Sequence, residues 1–94
     1  MYAVVRNYPG SSQLFDLLES KKEDVERVIR GVSGLISYTL MRSADGGVSV
    51  TVCQDKAGVD ESVRIAAEWV RENFTGTSNP PAISEGETIL QLSP

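Results

Sequence analysis

A single α+β domain with the element order βαββαβ is what this 94-residue sequence predicts. Three observations carry that reading. Residues 34–54, GLISYTLMRSADGGVSVTVCQ, hold two runs of β-formers on either side of an Asp45-Gly46 turn. Residues 14–32 and 59–74 repeat apolar side chains at helical spacing. Residues 2–8 and 87–92 supply a β-rich segment near each end.

The elements follow in order. Residues 2–8, YAVVRNY, form a first strand, stopped by Pro9-Gly10. Ser11 or Ser12 caps a helix of about five turns. Its apolar face is Leu14, Leu17, Leu18, Val25, Val28, Ile29 and Val32. The opposite face carries Glu19, Lys22, Glu23, Asp24, Glu26, Arg27 and Arg30, a solvated surface with i,i+3 and i,i+4 pairs. Gly31 and Gly34 end this helix. Strand two covers residues 35–42 and strand three residues 48–54, the link between them supplying glycine where a turn needs positive φ. Residues 55–58 turn into a second helix, which opens at Gly58 or Asp60 and runs to about residue 73. Its stripe is Val59, Val63, Ala66, Ala67, Val70 and Phe74. Residues 75–84, TGTSNPPAIS, are an irregular loop, because Pro80-Pro81 forbids regular structure. Residues 87–92 close the chain as strand four.

This order is the split βαβ, ferredoxin-like arrangement: a four-stranded antiparallel sheet with both helices on one face. Right-handed crossovers put the helices on the same side. The other sheet face is then bare. Side chains alternate along strands, so Val48, Val50 and Val52 oppose Ser49, Thr51 and Cys53, while Ile36, Tyr38 and Leu40 oppose Leu35, Ser37, Thr39 and Met41. Neither face is charged. Each apolar side chain buried is worth about 1.5–3 kcal/mol, so a homodimer through the open sheet face is expected.

Composition narrows the function. Nine basic and thirteen acidic residues give a net charge of −4, with no basic cluster beyond Lys21-Lys22. That pattern does not fit a phosphate backbone, so no nucleic-acid partner is expected. No apolar run is long enough to span a membrane, and no secretory signal is visible at the start. One cysteine forms no internal disulfide, which points to a cytoplasmic location. The chain has no histidine. The commonest metal ligand and the commonest neutral-pH base are therefore missing, and neither a metal nor a cofactor is expected.

Four residues are candidate ligand contacts. Arg6 and Asn7 end strand one, where either can reach a ligand carbonyl. Tyr38, with Tyr8, can line the same cavity. Trp69 lies with Ile65 on a flank of helix two, off the main stripe. Each also has a plain structural role, as a solvated strand end or the edge of a core. Cys53 reads as a small buried hydrophobe.

Gly34-Leu35-Ile36-Ser37-Tyr38, the hairpin RSADGGVSVTV and the segment QDKAGVDES entering helix two resemble the antibiotic biosynthesis monooxygenase-like (ABM-like) group of the dimeric α/β-barrel superfamily. The resemblance covers residues 2–92 and implies the fold more specifically than the chemistry. The group includes cofactor-free oxygenases of polyketide-like aromatics, haem-degrading enzymes, isomerase-like proteins and many members without known activity; the resemblance is closest to the last. Oxygenases of the group often carry Trp where this chain has Cys53. Asn7 and Trp69 match positions used by the haem-degrading members, but the iron-binding histidine is missing. The resemblance therefore implies a homodimeric, non-catalytic or small-ligand-binding module. The alternative is a cofactor-independent, monooxygenase-like enzyme acting on a small aromatic or polyketide-like substrate.

Overall fold

The computed structural model describes residues 1–76 and 79–94. The chain runs β1 (Tyr2–Tyr8), α1 (Ser12–Ser20), α2 (Lys22–Arg30), β2 (Leu35–Ser43), β3 (Gly46–Cys53), α3 (Lys56–Asn73) and β4 (Ala82–Glu87). The strands form one antiparallel sheet in the order β2-β3-β1-β4. All three helices pack on the same face. No helix among the described residues is long and apolar enough to cross a membrane.

The β2–β3 hairpin turns at Ala44-Asp45 rather than the expected Asp45-Gly46, because Gly46 already pairs with Ser43 across the ladder. Its tip is tied to the β1–α1 loop. The Gly10 N–H donates to Asp45 Oδ2 and the Ser11 N–H to the Asp45 carbonyl, both at 3.0 Å. Glycine is required just beyond the turn. A Cβ on Gly46 would sit 2.0 Å from the Tyr8 carbonyl oxygen, and one on Gly47 would sit 2.1 Å from the Phe15 ring.

Register decides which sheet face the helices cover. Direct partners across a ladder share a face. Val4 pairs with Thr51, Arg6 with Ser49 and Tyr8 with Gly47, and Phe15 of α1 lies against Gly47. Tyr38 and Leu40 of β2 join this inner face. The more polar side of β3 (Ser49, Thr51 and Cys53) therefore points at the helices, and all three are buried. Val48, Val50 and Val52 point away from them. On that outer face Val50 lies between Val5 and Thr39, and Val48 between Asn7 and Met41. Val5 remains 38% exposed and Met41 53%.

Two apolar clusters fill the space under the helices. Leu14, Phe15, Leu18, Val25, Ile29 and Trp69 form one. Val4, Val32, Cys53 and Val59 form the other, with Ile65 packed beside them. Trp69 belongs to the first cluster, and Ile65 packs against the second.

Several elements depart from the sequence reading. The single first helix is two helices, broken at Lys21 (φ −115°, ψ 27°). Lys21 and Lys22, the latter expected on the charged face, fall three and four residues after Leu18, where the stripe toward Val25 should continue, and the break leaves both exposed. A second departure is a bulge between Leu35 and Ser37, which puts Leu35 on the same face as Tyr38 and Leu40 instead of opposite them. The third is the last strand, which is Ala82–Glu87 rather than residues 87–92. It starts right after Pro80-Pro81 and pairs with β1 from Tyr2↔Glu87 to Asn7↔Ala82. The expected loop thus loses residues 82–84 to the sheet; its Thr77 and Ser78 lie outside the described residues. Ile89, Leu90 and Leu92 are exposed beyond β4. Helix α3 also begins earlier than expected, capped by Asp55, whose Oδ1 accepts the Gly58 N–H at 3.0 Å.

Candidate functional site

A cleft opens between the inner face of the sheet and the helices. Arg6 and Tyr8 of β1, Tyr38 of β2 and Ser49 of β3 form its polar side. Leucine and valine side chains of α1 and α2, with Trp69 and Val70 of α3, form its apolar side. The free volume is about 30 Å³, room for about two waters.

Arg6 is the most unusual group in it. Strand alternation turns its side chain inward with Val4 and Tyr8, and only 2% of the residue is exposed. Its Nε donates to Ser49 Oγ at 3.1 Å, the residue directly across the β1–β3 ladder. No carboxylate forms an ion pair with it among the described residues. Burial raises the Tyr38 phenol above its ordinary value, and the Arg6 charge only partly opposes that shift. Tyr38 is therefore a neutral donor at neutral pH.

Trp69 is held from both ends. Its indole N–H donates to Asp24 Oδ2 at 2.8 Å, and its carbonyl accepts from Asn73 Nδ2 at 2.8 Å. The same indole bond, followed by a hydrogen bond from Arg27, holds the Asp24 carboxyl below the ordinary aspartate range. The ring is thus anchored between α2 and α3 and lines the cleft.

Arg6, Tyr38 and Trp69 are brought together. Asn7 is not: one residue further along β1, it faces the opposite side of the sheet beside Val48 and Ala82 and is exposed. Cys53 lies in the other cluster, fully buried, its thiol pushed up by burial and then by Asp55 and Glu61. Sequence reasoning did not single out Ser49 or Asp24. Nothing local marks Ser49, since its position opposite Arg6 follows from sheet register alone. Asp24 sits in a charge run that reads as solvated.

No protein-family model and no curated protein matches the chain. Solved structures do match it. A protein of unknown function from Nitrosomonas europaea, NE2512, superposes with a TM-score of 0.71 at 21% identity, over 99% of this chain and 92% of that one. A mutant of MhuD with two manganese protoporphyrin IX molecules bound per active site gives 0.74 at 11% identity, over the full length of both. A monooxygenase from the gene ActVA-Orf6 of Streptomyces coelicolor, in complex with nanaomycin D, gives 0.64 at 22%, over 99% of this chain and 91% of that one. The fold is the ABM-like fold. At these identities the likeness is one of architecture: an ABM-like sheet, covered by helices on one side and open on the other.

Proposed function

We propose that the chain is a homodimeric small-ligand-binding module. Two copies meet through the valine-bearing outer face, and each subunit, one domain of residues 1–94, takes a small molecule in the cleft between sheet and helices. The observation that carries this reading is the buried meeting of Arg6, Tyr38 and Ser49 against an otherwise apolar cleft beside Trp69. Convergent polar groups on an apolar wall are one half of what a small-molecule site requires; the other half is volume, and with about 30 Å³ free the side chains must move apart to admit a ligand. The ligands bound by MhuD and by the Streptomyces monooxygenase support a site of this kind in the fold. Binding is favoured over proton abstraction because Tyr38 is held protonated and no carboxylate lines the cleft among the described residues. The lone buried thiol supports a reducing, cytoplasmic setting.

A thermal-shift screen of phenols, quinones and aromatic acids tests this, with Trp69→Phe as the control. A ligand at about 100 times its Kd stabilises by about 2.7 kcal/mol, a rise in Tm of several degrees. Hits should raise Tm in the wild type and lose most of the effect in the variant. No stabilisation by any class counts against the site. The oxygenase alternative predicts more, namely oxygen consumption when a phenolic hit is present.

A further inference from the structure

Within the proposed cleft, the state of Arg6 says what the ligand carries. A guanidinium is always charged, and taking it out of water is strongly unfavourable unless an anion or a full set of acceptors compensates. Arg6 is 2% exposed, yet the one hydrogen bond found for it among the described residues uses Nε, to the neutral Ser49 hydroxyl. Neither terminal nitrogen, Nη1 or Nη2, has a hydrogen bond among the described residues, and neither is one of the fully enclosed unpartnered atoms, so both keep an opening to the cleft. The ion pairs of the described residues all involve other cations: Arg27, Arg30, Arg42, Lys56 and Arg64. Glu85, the acidic residue of β4 nearest in register, pairs with Val4 across the ladder and reaches Lys56 instead. The β4 residue opposite Arg6 itself is Ile83.

We infer that the cleft takes a small planar carboxylate, its two oxygens on Arg6 Nη1 and Nη2 and its apolar body toward Trp69. This rests on the ligand-binding reading above. The planar fork of arginine matches a carboxylate edge with two parallel hydrogen bonds, which a single-oxygen anion does not use. The Tyr38 phenol, held protonated, is a further donor on the same wall. The free volume of about 30 Å³ suits a carboxylate head of about two waters' size. An apolar remainder has to displace the leucine, valine and tryptophan side chains around that space.

Trp69 is the only tryptophan in the chain, so its fluorescence reports the cleft directly. The wild-type protein is titrated at neutral pH and constant ionic strength with two isosteric pairs, acetate against acetamide and benzoate against benzamide. At least one acid should bind about tenfold or more tightly than its amide, the expected gain from a charge-assisted pair. Arg6→Gln should erase that preference. Equal binding of acid and amide overturns the carboxylate inference while leaving the ligand-binding reading intact. Binding of neither acid overturns the carboxylate inference, and the thermal-shift screen then decides the ligand-binding reading separately. A folded Arg6→Gln protein that still prefers the acid also overturns the inference. The wild-type comparison decides the matter even if that variant does not fold.

Discussion

Arg6 and Asn7 are neighbouring candidates in the sequence, yet only one can face the cleft. Neighbours on a strand point to opposite faces, so the choice turns on which face the helices cover. In β3 the alternation of valine with Ser49, Thr51 and Cys53 left that open, because both sets are buriable. The helices cover the hydroxyl-bearing set, and Arg6 goes inward with it. Trp69 was legible as a large aromatic off the main stripe; its Asp24 partner was not, since the contact joins residues 45 apart in sequence. That contact makes a pH prediction. The Asp24 carboxyl is held below its unfolded value, about 3.9, so its contribution is complete above that pH and is lost as pH falls through the lower folded value. The Tm difference between wild type and Asp24→Asn should be constant near neutrality and should close in acid, below about pH 4. A difference that widens on acidification contradicts the assignment. Thr51 offers a test in the other direction. It is fully buried, and its Oγ1 has no hydrogen-bond partner among the described residues. Thr51→Val keeps the shape and removes the orphan hydroxyl, so the denaturant midpoint should rise by the equivalent of about 1 kcal/mol. Cys53, buried and held protonated, should react with a thiol reagent only when the protein unfolds.

At the scale of elements, hydrophobic periodicity located the helices and the hairpin but could not see where a regular pattern would be interrupted. The first helical stripe reads as continuous because Leu14, Leu18, Val25 and Ile29 keep their spacing. The interruption is carried by two lysines at intervening stripe positions, and burying both would cost more than breaking the helix. Strand four was hidden for the opposite reason. Ala82–Glu87 contains Gly86 and two glutamates, weak β-formers, and forms because β1 presents a free edge to it. Ile89, Leu90 and Leu92 look more like a strand and are exposed. The hairpin was read as an element, from two runs of β-formers around a short polar link, but its turn falls one residue before the expected Asp45-Gly46 pair. Its junction with α1 is testable. Gly47→Ala places a methyl into the Phe15 ring and should destabilise the protein by about 1–3 kcal/mol, measured by chemical denaturation. A neutral outcome would mean that Phe15 is free to move.

For the whole molecule, the outer sheet face and the inner cleft have separate tasks. The outer face carries Val5, Val48, Val50 and Met41 with no helix over them. A second copy placed there would remove them from water. Val50→Asp, at the middle of that face, should therefore shift the sedimenting species from dimer to monomer while leaving the cleft intact. A wild-type monomer at micromolar concentration would contradict the assembly. The cleft lies on the other side of the sheet and depends on Arg6, Tyr38 and Trp69 of a single chain. The most direct test of that division is a proton–nitrogen correlation spectrum recorded while a hit from the ligand screen is added. The account predicts that the single Trp69 indole signal and the Arg6 Nε signal move together, while the Asn7 and Val50 amides move least. Changes concentrated on Asn7, Val50 and Met41, with the Trp69 indole unmoved, would place the ligand on the outer face and contradict it.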